Sequence, residues 1–260
     1  MRLAFSVYKQ YIRIAVSSSM AYRANFFFMV LISLLSNLLL PLLTVLIYAG
    51  GASIPGWSFY EALLIQSVFM LCTGICAPFF FNMVWITMEH IREGSYDLLM
   101  LKPGSTIFIT VASSFDLENT GTLVGGVAMF AFTLAHLPAA SWLNWAQFLL
   151  LLVMGISMTL GCILLMAATT FKWVGNSRIF EIFDAVTMFG RYPGTIFGGV
   201  LRGLTAYVIP VAMLGFFPAS AILGRMTGEM FIACLPCVGF LLLGVAVFRR
   251  MTYLYQSAGG

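Results

Sequence analysis

The sequence predicts an all-α polytopic membrane protein, and three observations carry the prediction. Only 22 of the 260 residues are charged (13 Lys+Arg, 9 Asp+Glu), or 8 %, where soluble domains carry roughly 25 %. The charges also leave long gaps: none falls between Arg23 and Glu61, Glu61 and Glu89, Glu118 and Lys172, or Glu229 and Arg249. Each gap matches or exceeds the ~20 residues a helix needs to cross the hydrocarbon core. Finally, 61 % of the chain is hydrophobic and the mean hydropathy is +1.00. A charge at the centre of a span costs about 2.5–3.5 kcal/mol on insertion scales, so the gaps are spans and a soluble fold is excluded. No polar stretch is long enough for a separate globule, so residues 1–260 read as one transmembrane domain. The net charge of +4 calls for no nucleic acid, because cationic residues beside spans are what topology requires.

The elements follow in order. Over 2–20, Arg2, Ser6, Lys9, Gln10, Arg13 and Ser17 share one helical face, and Phe5, Tyr8, Ile12 and Ala15 share the other. A cationic amphipathic helix just before a span is expected to lie in the interface of the anionic cytoplasmic leaflet. The first span covers about 24–48, with Pro41 as a kink that membrane helices tolerate; this run is too long for a signal-peptide core. A Gly-Pro loop leads to a second span over about 62–81. The stretch 82–118 holds Glu89, Glu93, Asp97, Asp116 and Glu118. A third span over about 119–134 and a fourth over about 146–169 flank the short loop 136–144, and the last clear span is 230–248.

Two readings of 172–229 stay open at this point. Hydropathy places a fifth span at 203–224, which is uncharged but interrupted by Pro210 and Pro218; residues 178–192 are also helix-compatible. With both termini inside, ten of the 13 cationic residues are cytoplasmic whichever reading holds, and only Arg191, Arg202 and Arg225 depend on the choice. The outer loops 48–60 and 135–144 contain no Lys or Arg. This is a positive-inside pattern and fits six spans.

The segment Glu93-Gly94-Ser95-Tyr96-Asp97-Leu98-Leu99-Met100-Leu101-Lys102-Pro103 carries the clearest local instructions. Gly94 is expected to end the second span's cytoplasmic extension, Ser95 to cap a new short helix and Pro103 to stop it. Apolar Leu98, Leu99 and Leu101 beside acidic Asp97 then form either a docking surface or a helix resting on lipid, and the residues alone leave both open. The five cysteines all lie in apolar runs. Cys234-Leu-Pro-Cys237 has redox or metal spacing, but nothing nearby lowers a thiol pKa or completes a ligand set, so packing cysteines are expected. Gly121-x-x-x-Gly125 and Gly199-x-x-x-Gly203 are candidates for close helix contact.

The order of these features, together with Phe171-Lys172-Trp173, Tyr192-Pro193, Pro210, Pro218 and the terminal Tyr255-Gln256-Ser257-Ala258-Gly259, resembles the permease subunits of ABC-2 type ABC transporters. The likeness is to the branch with a Tyr-Gln-Ser-Ala-Gly-like tail and covers essentially the whole chain. It departs only where Phe171-Lys172-Trp173 replaces the adjacent Phe-Trp of many members. The resemblance implies a six-span half-transporter of the bacterial inner membrane, paired with a second permease subunit and two ABC ATPase subunits. Residues 1–22 would be the elbow helix and 94–102 the coupling helix, with Gly94, Ser95, Tyr96, Asp97, Leu98 and Leu101 docking on the ATPase. An outer re-entrant hairpin would occupy 193–225, which favours a fifth span at about 173–191. Glu181 and Asp184 would then enter the membrane, facing the dimer interior or, for Glu181, pairing with Arg178.

No Gly-x-x-x-x-Gly-Lys-Ser/Thr occurs in the sequence, so no cofactor is expected on this chain and ATP belongs on a partner subunit. An ion-coupled secondary carrier is the alternative; it would normally need intramembrane carboxylates or paired broken helices, and only Glu181 and Asp184 could serve. A membrane-embedded enzyme would need a clustered site, yet the two histidines, His90 and His136, are predicted on opposite sides of the membrane. Aromatic-rich, charge-poor spans suit lipophilic or amphiphilic cargo, and the resemblance suggests export.

Overall fold

The computed structural model describes residues 2–102, 104–173 and 178–256, and it is helical, with no strand among those residues. Helix α1 (Arg2–Ala21) turns at Tyr22 into α2 (Arg23–Ala49). On α1, Ser6, Lys9, Gln10, Arg13 and Ser17 are exposed while Tyr8, Ile12 and Ala15 are half-buried, the division that the sequence periodicity predicts. Along α2 a row of large apolar side chains stays exposed, from Phe27 and Leu31 to Leu39 and Leu46. Its internal Pro41 is buried, and Gln66 Nε2 donates to Thr44 Oγ1 at 2.7 Å one turn further on.

The central element is one 34-residue helix, Phe59–Arg92, made of α3 (Phe59–Cys76), a π-helical turn (Ala77–Phe81) and α4 (Asn82–Arg92). Its last eleven residues continue beyond the expected span at 62–81 as the extension expected to end at Gly94. Ser58 and Glu61 start it with a reciprocal capping box, which satisfies two otherwise orphaned backbone donors. Helix α3 is apolar on all sides and is accordingly enclosed, with Leu64, Ile65, Val68, Phe69 and Cys72 in the main core. Pro78 sits within the π turn, where it cannot donate. The carbonyls there find outside partners: Asp116 N–H donates to Pro78 O at 2.8 Å and Ser114 Oγ to Phe79 O at 3.0 Å. Those bonds fasten the turn between α6 (Thr106–Ser113) and α7 (Thr120–Ala135) onto the bend.

Helices α8 (Trp142–Thr170) and α13 (Cys234–Leu254) pack with backbones in contact. A Cβ at Gly161 would lie 2.5 Å from the Phe240 carbonyl, and one at Gly244 would collide with Gly161 O. Of the glycine pairs noted in the sequence, Gly121 does sit against the α2 backbone at Val30, whereas Gly199 and Gly203 face open space. Among the described residues, four helices are long and apolar enough to cross a membrane: Arg23–Ala49, Phe59–Arg92, Trp142–Thr170 and Gly228–Leu254. The last includes α12 (Gly228–Ile232), joined to α13 through a turn at Ala233. Helix α7, at 16 residues, spans about 24 Å at 1.5 Å per residue.

Residues 203–224 do not form one helix. After α9 (Arg178–Thr187) and a 3₁₀ turn (Met188–Arg191), the chain passes through short pieces: Gly194–Ile196, α10 (Gly199–Gly203), the π turn Leu204–Val208, the 3₁₀ turn Val211–Leu214 and α11 (Phe216–Ile222). Pro210 removes a donor, and Gly215 is pressed between Gly190 O and Ile65 O, where a Cβ would be 2.6 and 2.8 Å away. Mean hydropathy does not register these breaks because 203–224 carries no charge and only scattered hydroxyls, Thr205 and Ser220 among them. Residues 211–222 are all buried, between α3 and α8, which is where irregular backbone at membrane depth is tolerated. Both ends of this stretch are tied to the loop before α3. Trp57 Nε1 donates to Thr195 Oγ1 at 3.0 Å, and Arg225 pairs with Glu61 and lies over the Trp57 ring.

Candidate functional site

The segment after α4 is built by local rules. Gly94 adopts φ +66°, and Ser95 N–H donates to His90 O at 2.9 Å while Gly94 N–H donates to Ile91 O at 3.3 Å. This is a Schellman closure, and the left-handed residue suits glycine. Ser95 departs from its expected role. Its hydroxyl makes no capping bond; Oγ lies 2.7 Å from His90 Nδ1, so the two side chains share a hydrogen bond across the turn. His90 thereby becomes part of the joint. Pro103 lies outside the described residues.

The short helix α5 (Tyr96–Met100) then divides its side chains between two faces. Tyr96 is fully buried and Leu99 is 2 % exposed, both packed with Ile91 and Ile109; Val7 of α1 and Phe171 pack onto them. The Tyr96 ring meets Phe171 and Tyr255 edge-on, at centroid distances of 5.0 and 5.2 Å. Burial raises the pKa of Tyr96 and keeps its hydroxyl neutral. That hydroxyl sits beside Thr110 and Thr252, whose own hydroxyls are bonded to backbone carbonyls, and it has no hydrogen bond of ordinary geometry. On the other face, Leu98 and Leu101 are 66 % and 81 % exposed, and Asp97 is half-exposed beside them. Lys102 Nζ donates to Tyr11 Oη at 2.8 Å, securing the segment to α1.

The six residues predicted to dock are therefore brought together but not equivalent. Leu98, Leu101 and Asp97 lie on the outer face. Gly94 and Ser95 form the joint. Tyr96 is an internal anchor, since an aromatic ring in apolar company gains nothing by turning outward.

A second feature lies among α2, α3, α7 and α9. A cavity of about 430 Å³ is lined by Ser33, Asn37, Thr122, Asp184 and Arg191, with Phe69, Phe81 and Phe183 among its apolar members. Asn37 Nδ2 donates to Thr122 Oγ1 at 2.9 Å and to Ser33 O at 2.9 Å, joining α2 to α7. The predicted Arg178–Glu181 pair is not formed. Among the described residues, the ion pairs within 4 Å are Arg225–Glu61 and Arg202–Glu229, and both Arg178 and Glu181 are exposed. The acid that lines the cavity is Asp184, about one turn further along the same helix.

A family model described as "ABC-2 family transporter protein" matches residues 29–259. The chain belongs to the ABC-2 transporter family. No curated protein and no solved structure matches it significantly. An ABC-2 permease is a multi-pass membrane subunit that works with ABC ATPase subunits, and the helical, charge-poor chain has that form. Sequence reasoning on this permease found the 94–102 segment but missed two features. One is Arg191 in the cavity, signalled only by being a lone cation within an apolar run. The other is the Glu61–Arg225 clasp, whose partners are 164 positions apart.

Proposed function

We propose that this permease is one half of an ATP-driven exporter of lipophilic or amphiphilic substrates. Two such subunits, identical or similar, would enclose a pathway on their common axis, and two ATPase subunits would drive alternating access. The observation that carries the reading is the two-faced helix α5. A surface helix resting passively on lipid needs no rigid mount, whereas α5 is held from below by Tyr96 and Leu99 and presents Leu98, Leu101 and Asp97 outward. Apolar anchors beside a charge on a rigid element are the composition of an interface hot spot, so we assign 94–102 as the coupling helix.

The remaining spans follow the positive-inside pattern. The six crossings of this reading are α2, α3–α4, α7, α8, a fifth over about 173–191 that includes α9 and the 3₁₀ turn after it, and α12–α13, with both termini on the cytoplasmic side of a bacterial inner membrane and α1 as the elbow helix at its surface. The stretch 193–225 acts as an outer re-entrant hairpin. Support comes from its two ends, Thr195 being bonded to Trp57 in the loop before α3 and Arg225 to Glu61 in the first turn of α3, while its middle is buried against α3 and α8. Co-purification with the ATPase subunits, followed by substrate-stimulated ATP hydrolysis in proteoliposomes, tests the assignment. A permease that transports as a lone subunit without hydrolysis would overturn it.

A further inference from the structure

The cavity among α2, α3, α7 and α9 contains one acid and one base that do not satisfy each other. Neither Asp184 nor Arg191 takes part in an ion pair within 4 Å among the described residues. The Arg191 guanidinium lies over the Phe69 ring, 4.6 Å from its centroid, and its buried Nε has no hydrogen-bond partner. The Asp184 side chain is exposed to the cavity it lines. Most of the neutral polar groups are already engaged: Ser33 Oγ, Asn37 Nδ2 and Thr122 Oγ1 bond to one another between α2 and α7. The apolar part of the wall is Phe69, Phe81, Phe183 and Met188, with the Phe81 and Phe183 rings edge-on at 6.1 Å.

A half-buried cation that makes no ion pair with the nearby carboxylate is costly in a membrane protein, and such residues mark substrate paths. At about 430 Å³ the cavity is within the range of small-ligand sites, roughly 300–1,000 Å³. We infer that it binds the headgroup of a zwitterionic amphiphile: an anionic group such as a phosphate pairs with Arg191, an ammonium group meets Asp184, and the acyl chain runs along Phe81 and Phe183. An arginine suits the anion because its planar fork presents several donors at once. The assignment rests on the permease reading and names the substrate class for it.

The test is equilibrium binding of tail-labelled lysophosphatidylethanolamine to the full-length permease, purified with its partner subunits in dodecyl maltoside without nucleotide. Lysophosphatidic acid, with the same tail and no ammonium group, serves as the comparison. Wild-type protein should prefer the zwitterion. Asp184→Asn should weaken the zwitterion about tenfold, as for one charge-assisted contact, and reverse the preference towards the anion. Arg191→Gln should weaken both probes, and Arg191→Lys should recover part of the loss while keeping the Phe69 contact. Among the described residues Asp184 has no side-chain hydrogen bond to lose, so its variant is not exposed to misfolding in the way Arg191 variants are. Equal affinity across wild type and Asp184→Asn would overturn the inference. So would equal competition by tail-free glycerophosphoethanolamine, which would make the ligand a soluble solute. Because binding is read without ATP, a failure of ATPase coupling would remove the transport reading while leaving this result intact.

Discussion

The two faces of α5 permit a test in which neighbouring leucines give opposite phenotypes. Leu98 and Leu101 are 66 % and 81 % exposed in the single chain. Burying a Leu side chain fully is worth about 1.5–3 kcal/mol, so covering these two on docking contributes roughly 2–4 kcal/mol. The Leu98→Ala/Leu101→Ala double variant retains the Cβ atoms and should lose most of that, about 2–3 kcal/mol, or roughly 30- to 150-fold in affinity for the ATPase subunit. Its thermal unfolding should stay close to wild type, since neither side chain supports the core. Leu99→Ala should behave in the reverse sense. Leu99 is 2 % exposed against Ile91, Tyr96 and Ile109, and deleting a buried Leu side chain costs about 2–5 kcal/mol of stability. Affinity for the ATPase can be measured by biolayer interferometry on nanodisc-embedded permease, and stability by intrinsic fluorescence on heating. If the double variant binds and stimulates its ATPase as wild type does, the outward leucines rest on lipid and the docking assignment fails.

Other consequences are as direct. Cysteine substitutions at Ala52 and Arg202 should label from the outer side and one at Leu101 only from the cytoplasmic side; labelling of Arg202 from inside would remove the re-entrant hairpin. Gly161→Ala should lower stability by about 1–3 kcal/mol through overpacking against the Phe240 backbone, seen as a lower unfolding temperature. Reversing the clasp charge with Arg225→Glu should speed hydrogen exchange in 193–225, and the swap Glu61→Arg/Arg225→Glu should restore protection. Tyr96 has a raised pKa because it is buried, so the folded state binds its proton more tightly than the unfolded state does. Its stabilisation is complete below about pH 10 and is lost as pH rises through the higher folded value. Tyr96→Phe should therefore blunt alkaline destabilisation, measured as unfolding temperature between pH 8 and 11.

The sequence by itself determined what periodicity and charge can encode. Charge gaps placed the membrane helices, because burying a charge in hydrocarbon is too costly to be hidden by context. The alternation of polar and apolar residues placed the two faces of α1, and Gly94 placed the end of α4, because only glycine takes a left-handed residue without strain. Which apolar residues face inward was not legible. Leu98 and Leu99 are chemically identical, and only the positions of Phe171, Tyr255 and Ile109 decide that one is exposed and the other covered. The same holds for 203–224: Pro210 and Pro218 mark it as interrupted, but how its short pieces fold is set by burial against α3 and α8. It holds again for α9, where the fifth span implied by the resemblance called for Arg178 beside Glu181, but the cavity was assembled from Asp184, Arg191 and side chains of three other helices. Hydropathy measures a residue's preference for leaving water; which neighbour it meets depends on helices brought together from distant parts of the chain, and that was decided only by the tertiary structure.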